Sequence, residues 1–331
     1  MNKKYFQSKK PTALLLFSGG LDSILAAKIL QEAGLTVTLL SLESYFFNAK
    51  QAEKSARQLN LPLIKKDFSE IHLKIVKTPV HGYGKAMNPC LDCHGLMLKE
   101  AKKIALEKKI DIIATGEVLG QRPFSQNANA LKKIEKIADL ENLILRPLSA
   151  QLLKETDYEK SGLVARQKLL AVSGRSRKKQ LILAEKFGIK KFPAPAGGCL
   201  LAEKEFGKKL KQLLASTRKL IPSDFALIKF GRHFWEKSTH LILGRNKEEN
   251  RHLEKLANKN DILIKRKDKL GPTALIRTNK KLSEQKQTLL IKQCQQLIWH
   301  YSRKKAHNKQ WNELNYTISN FPNLADRKSV V

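Results

Sequence analysis

An α/β fold is predicted for this chain: a doubly wound parallel sheet followed by a smaller C-terminal α+β domain. Three observations predict it. Short apolar runs alternate with amphipathic stretches over the first two hundred residues, a glycine-rich loop joins the first such pair, and the texture changes after Ala215 to short apolar pieces between charged turns.

Thr12 to Phe17 is apolar and reads as the first strand, Ser18 to Ser23 as a loop, and Ile24 to Ala33 as a helix that Gly34 ends. Thr36 to Leu42 reads as the second strand, Ala49 to Gln58 as the second helix and Leu61 to Ile64 as a short third strand. Gly95 to Lys108 is expected as a helix, Ile110 to Thr115 as a buried strand, and Leu143 to Arg146 as a further strand running into Pro147, so that the sheet extends to about residue 200. A helix follows over Gln180 to Phe187. Beyond Ala215, His240 to Leu243, Ile262 to Ile264 and Ala274 to Arg277 are strand-like, and Leu282 to Tyr301 has helical periodicity. The expected organisation is a basic tail over 1–11, a catalytic domain over 12–215, a small RNA-binding domain over 216–283, and a helix with a polar tail over 284–331.

Lys and Arg number 63 against 30 Asp and Glu in 331 residues, a formal charge of +33 spread along the chain. Such an excess disfavours a small neutral substrate and points to a polyanionic partner. No run approaches the roughly 20 apolar residues of a membrane span, and the first residues lack the apolar core of a signal peptide. A cytoplasmic protein with no membrane partner is expected. Its four cysteines, Cys90, Cys93, Cys199 and Cys294, are then thiols or metal ligands rather than disulfides.

The loop Ser18-Gly19-Gly20-Leu21-Asp22-Ser23 carries the first chemistry. Gly19 and Gly20 let backbone approach a phosphate, Ser18 and Ser23 add hydroxyl donors, and the next helix offers unpaired N–H groups and the positive end of its dipole. No lysine follows the glycines as in a Walker A loop. The pattern instead resembles the PP-loop, SGGxDS, of ATP pyrophosphatases. That resemblance implies ATP cleaved between its α and β phosphates, adenylation of a carbonyl, pyrophosphate held on the loop, and Mg²⁺ positioned by Asp22.

Pro89-Cys90-Leu91-Asp92-Cys93 and Pro195-Ala196-Gly197-Gly198-Cys199 form the second constellation. A CxxC pair binds one soft metal from a single turn, and the third thiolate must be brought in by the fold. Three thiolates suit a 4Fe-4S cluster with one iron open to exogenous sulfide. A persulfide on one cysteine resolved by another is the second reading, and plain zinc the third. His94, adjacent to Cys93, is poorly placed to share its metal, and Cys294, inside a helical run, reads as a small buried hydrophobe.

Thr115-Gly116-Glu117-Val118-Leu119-Gly120-Gln121, then Ser125-Gln126 and Leu145-Arg146-Pro147-Leu148, resemble the catalytic domain of the tRNA 4-thiouridine synthase family over residues 12 to 200. The resemblance implies that Gly116, Glu117, Gln121, Ser125 and Gln126 flank the adenylation site and that Arg146 contacts phosphate. Ser41 and Leu42, at the carboxyl end of the second strand, are further nucleotide-binding candidates, because ligands of open α/β sheets bind there. The partners implied are tRNA and sulfide or a sulfur-donor protein, with a homodimer as an assembly found among relatives.

The family's larger members place an RNA-binding module before the PP-loop and some carry a rhodanese domain. Here both are missing from those positions, and the cysteines are more like those of iron-sulfur tRNA thiolases. An RNA-binding domain is therefore expected downstream. The basic run Gly174-Arg175-Ser176-Arg177-Lys178-Lys179 stands before a helix whose dipole its charges oppose, which favours phosphate contact. After Ala215 the chain resembles a domain of RNA-quality-control proteins; Arg232, Arg245, Lys267 and Lys269 are phosphate candidates, and Phe234 or Trp235 a base-stacking candidate. The expected reaction is ATP-dependent tRNA thiolation, 4-thiouridine being favoured. A nitrogen-using PP-loop enzyme and a non-catalytic RNA-binding protein are the rivals; the first leaves the cysteines idle and the second leaves SGGLDS unexplained.

Overall fold

A computed structural model describes residues 10–194, 199–216, 219–236, 239–267, 271–278, 282–302 and 315–320. The chain divides into two compact units, 1–202 and 203–331.

In the first unit, β1 (Thr12–Leu16), α1 (Leu21–Glu32), β2 (Thr36–Glu43), α2 (Lys50–Leu59) and β3 (Leu63–Asp67) alternate as expected. They are followed by α3 (Ser69–Lys77), α4 (Cys90–Glu107), β4 (Ile112–Thr115), α5 (Ala128–Ala138), the single turn α6 (Asp157–Lys160) and α7 (Lys178–Lys186). The strands form a parallel sheet in the order β3-β2-β1-β4. Both faces are covered, which is why the strands read as continuous apolar runs instead of alternating ones. Ala13, Leu15, Val37, Leu39, Ile112 and Ala114 face a core shared with α1 and α2. Leu14, Leu40, Leu42 and Ile113 point the other way, into a core shared with α4 and α5.

Two expectations change here. The strand expected at Leu143 to Arg146 is a single parallel bridge, Ala114 to Leu145, held by Leu145 N–H to the Ile113 carbonyl and Thr115 N–H to the Leu145 carbonyl, both 2.9 Å. Pro147, without an N–H, cannot continue such a ladder. Helix α4 begins at Cys90 rather than Gly95, so both cysteines of the CxxC pair lie in its first turns.

The second unit holds α8 (Lys204–Ala215), α9 (Pro222–Leu227), β5 (Arg232–Glu236), β6 (Thr239–Leu243), α10 (Lys247–Leu256), β7 (Ile262–Arg266), β8 (Ala274–Arg277), α11 (Glu284–Tyr301) and β9 (Tyr316–Asn320). It begins earlier than the expected residue 216. Phe206, Leu210 and Leu213 of α8 are buried, and burial together with the Arg245 charge lowers the Lys209 pKa. Its antiparallel sheet has the order β5-β6-β8-β7-β9. Leu241, Leu243, Ile262, Ile264 and Ile276 pack against Leu290, Cys294 and Ile298 of α11. The opposite face packs Ile242, Leu263 and Leu275 with Leu227 and Leu253. Arg277, 1% exposed, is neutralised by Asp224 and Asp261 at 2.9 and 2.7 Å. Cys294 is fully buried, and burial pushes its thiol up to about 12.

Candidate active site

The glycine loop is shaped by what presses on it. Gly19 has φ +77°, and a Cβ there would stand 2.6 Å from the Gln51 carbonyl and 2.7 Å from the Ala52 nitrogen. Its carbonyl accepts from Ser55 Oγ at 2.9 Å and from Gln51 Nε2 at 3.4 Å, so the first turns of α2 hold the loop. The Gly20 N–H donates to Ser18 Oγ (3.3 Å), while Ser23 Oγ donates to the Gly20 carbonyl (2.8 Å). Gly20 is the N-cap of α1, and no side chain caps that helix. The first-turn amides and the positive end of the dipole are thus left for an anion.

Asp22, in that first turn, accepts from Gln121 Nε2 at 3.1 Å through Oδ2. Its Oδ1 is buried with no hydrogen-bond partner. A buried carboxylate oxygen lacking a donor suits a hard cation such as Mg²⁺, which binds through oxygen. Gly116 closes against the same turn: a Cβ there would lie 2.7 Å from Ser23 Cα and 2.9 Å from its nitrogen. Loop SGGLDS and turn TGEVLGQ, remote in sequence, therefore form one surface. Ser125 and Gln126 are buried beside it; Gly120 N–H donates to the Gln126 carbonyl at 2.7 Å, and Gln126 Oε1 has no partner. Ser41 and Leu42 are both buried, and the Leu42 side chain belongs to the apolar core, which leaves its backbone for any ligand.

Glu117 is the electrostatic centre. One carboxylate oxygen accepts from His94 Nδ1 at 3.0 Å; the other accepts from Arg146 Nε at 3.0 Å and Thr115 Oγ1 at 3.1 Å. Burial works to raise its pKa, but Arg146 and His94 outweigh burial and hold it at about 2. Arg146, 3% exposed, also pairs with Glu135 of α5, and its Nη2 alone is buried without a partner. Most of its fork is thus spent inside the protein. Neither Glu135 nor the structural use of His94 was expected; a histidine directly after a CxxC pair was the only sequence signal for the latter.

Cys90 and Cys93 are at the first and fourth positions of α4. Cys90 Sγ accepts from Asn88 Nδ2 at 3.2 Å, and the Met87 N–H donates to the Leu201 carbonyl at 3.0 Å, tying the segment before α4 to the one after Cys199. Burial pushes the Cys93 thiol well up, and Cys199, Cys90 and Asp92 add to the rise in that order. Cys90 and Cys199 therefore both lie within electrostatic reach of Cys93. Three cysteines brought to one place are a donor set that suits a soft cation. Among the described residues, however, no three His, Cys, Asp or Glu side chains stand at the spacing to hold a metal ion. Pro195 to Gly198 lie outside the described residues. Asp92 also accepts from His81 Nδ1 at 2.8 Å and from the His81 N–H at 3.0 Å, another pair absent from the sequence expectations.

The basic run lies beside the TGE turn. Ser173 bridges Leu119, and the Gly174 N–H donates to the Leu119 carbonyl at 2.8 Å. Arg175, Lys178 and Lys179 are exposed, Arg177 is half-buried, and Lys178 and Lys179 are the first residues of α7. In the second unit, Arg232 lies over the Tyr301 ring at 4.4 Å, and Arg245 is paired to Glu249 through both carboxylate oxygens. Trp235 is stacked on His240, with ring centroids 3.6 Å apart, so that face is not open to a base. Lys269 lies outside the described residues. No helix among the described residues is long and apolar enough to cross a membrane.

Comparison with known proteins adds the following. Residues 8–156 match the family model described as thiamine biosynthesis protein (ThiI), and residues 231–323 match that of the NFACT protein RNA binding domain. A probable tRNA sulfurtransferase of Finegoldia magna is 33% identical over 141 residues, covering 41% of this chain and 35% of that protein. A tRNA sulfurtransferase of Desulfurococcus amylolyticus is 31% identical over 145 residues, covering 41% of this chain and 29% of that protein. The chain thus spans about a third of the length of these curated relatives. A solved 4-thiouridine synthetase in complex with RNA and bound ATP is 18% identical with a TM-score of 0.35, covering 54% of this chain and 52% of that one. The glycine loop, the CxxC pair and the TGE turn all fall within the N-terminal segment of this chain that is similar to the ThiI family.

Proposed function

We propose that this protein is an ATP-dependent tRNA sulfurtransferase that replaces a uridine carbonyl oxygen with sulfur, the 4-position being favoured. The observation that carries the reading is the junction at Glu117. It joins the loop fitted to ATP with helix α4, which carries Cys90, Cys93 and His94, so one rigid element couples activation to the thiols.

ATP would place its β and γ phosphates against Ser18, Gly19, Gly20 and Ser23 and the uncapped end of α1, with Mg²⁺ on Asp22. The uridine oxygen attacks the α-phosphorus and pyrophosphate departs. Sulfide then adds to the ring carbon, the carbon–oxygen bond breaks, AMP leaves with the former carbonyl oxygen, and loss of the sulfide proton leaves C=S. No net oxidation occurs. Cys90, Cys93 and Cys199 would hold a 4Fe-4S cluster, which when bound supplies a Lewis-acidic iron without a protein ligand. Glu117 and Arg146 keep α4, the TGE turn and α5 in register, while Arg175, Arg177, Lys178 and Lys179 steer the tRNA backbone to this edge. Curated relatives of the first unit bear the name tRNA sulfurtransferase, which supports the substrate class.

The test is an anaerobic assay of the full chain with ATP, Mg²⁺, sulfide and unmodified tRNA. AMP, pyrophosphate and a thiolated nucleoside detected by mass spectrometry are expected, and Cys199→Ala should abolish the nucleoside. ADP as product would overturn the PP-loop assignment. Thiolation by iron-free protein would replace the cluster with the persulfide reading.

A further inference from the structure

The second unit holds a cavity of about 440 Å³ between the edge strand β5 and helix α11. Phe234 and Leu241, register partners on adjacent strands, form one apolar wall, and Leu297 faces them from the helix. The rest of the helical lining is polar. Gln293, Gln296 and His300 join Leu297 at i, i+3, i+4 and i+7, which puts all four on one stripe of α11. The neighbouring stripe, Leu290, Cys294 and Ile298, fills the core and is fully buried. Gln293 and Leu297 are half-buried and Gln296 and His300 exposed, so this stripe borders solvent at the cavity instead of filling the core. Among the described residues, neither glutamine amide makes a side-chain hydrogen bond, so their N–H donors and carbonyl acceptors are open to a ligand at the cavity.

The rim has its own charge. Arg232, on β5, lies over the ring of Tyr301, next to His300, and forms no ion pair among the described residues. Its guanidinium, fixed in place by the ring, is available to a phosphate. An aromatic wall, paired amides that offer both a donor and an acceptor, and one free arginine at the mouth match an unpaired nucleotide: base inside, phosphate at the rim. The volume lies within the range of small-molecule pockets. Glu236, also lining the cavity, adds an acceptor for an exocyclic amino group.

We propose that this β5–α11 cavity takes a single unpaired base of RNA, read by Gln293 and Gln296 and stacked on Phe234, with Arg232 on the adjoining phosphate. The proposal rests on the reading that this chain binds RNA. It separates the second unit's role from a general basic surface: the unit selects a single-stranded feature of the substrate.

The full chain is titrated by fluorescence anisotropy with labelled single-stranded octamers of uridine, adenosine and cytidine, and with an abasic octamer of equal charge. At least one base-bearing octamer is expected to bind roughly ten-fold or more tightly than the abasic one, in line with the worth of one stacked base. Gln293→Ala with Gln296→Ala, and separately Phe234→Leu, should erase that difference while binding of the abasic octamer stays. Arg232→Ala should weaken both kinds and lower the slope of log K against log salt by about one. Equal binding of abasic and base-bearing RNA by the unaltered chain would overturn the pocket while leaving RNA binding intact. No binding of any octamer, with or without bases, would overturn both. Circular dichroism of each variant separates a lost pocket from a lost fold.

Discussion

Gly19 meets two demands at once, a left-handed φ and a backbone contact with α2 that leaves no room for a Cβ. Gly20 meets neither: its φ is −79°, and a Cβ there would lie 3.4 Å from Ser18 Oγ. The two glycines should therefore separate in mutagenesis. Gly19→Ala is expected to cost about 2 kcal/mol or more, read as a fall in Tm. Gly20→Ala is expected to leave Tm nearly unchanged and to raise KM for ATP, since only phosphate approach is obstructed. A second prediction concerns Glu117. Replacing it with Gln leaves the buried Arg146 charge with Glu135 alone and should destabilise the protein by about 3 kcal/mol in urea unfolding. Both glycines, Asp22 and Gln121 were legible in the sequence because their motifs are local. The Asp22–Gln121 hydrogen bond and the His94–Glu117–Arg146–Glu135 chain were not, since nothing in a sequence says which buried charges will meet.

At the scale of elements, α7 begins with Lys178 and Lys179 and has no acidic residue in its first turn. Cations at that end oppose the dipole at about 0.3–1 kcal/mol each. The double variant Lys178→Glu, Lys179→Glu should therefore raise Tm while weakening tRNA binding, a pairing of opposite signs that a purely structural role would not produce. Thermal melts and anisotropy with the same preparation check it. The alternating strands and helices of the first unit were legible because both faces of a parallel sheet are covered. The start of α4 was not: the helix was expected from Gly95, yet it begins at Cys90, with Pro89 at the N-cap, where its missing N–H costs nothing. The second unit was legible in its three most apolar strands and in α11. β5, with Arg232, His233 and Glu236, lacks apolar alternation, because an edge strand is only half-buried.

Each of the two units carries a histidine that the fold keeps neutral. Burial lowers His72 to about 4, with its ring stacked on Phe68 at 5.0 Å, and burial followed by the Lys209 and Arg245 charges lowers His233 to about 3. As pH falls, the unfolded chain takes up these protons first, near 6.5, so stability is complete above that pH. It is lost between 6.5 and about 4 for His72, by about 3 kcal/mol, and between 6.5 and about 3 for His233, by about 5 kcal/mol. His72→Leu should flatten its share of that decline in urea titrations run from pH 7 to pH 4. The sequence by itself determined the chemistry on offer: a glycine loop, a CxxC pair with a distant third cysteine, a strongly positive charge and an alternating α/β pattern, all carried by local spacing or composition. Only the tertiary structure decided how these meet. Strand order brings TGE against SGGLDS, α4 carries thiols and His94 to the same edge, and Arg146 is drawn inward to neutralise Glu117. The physical reason is that burial makes an unpaired charge costly, and which partner relieves it depends on distances that no spacing along the chain encodes.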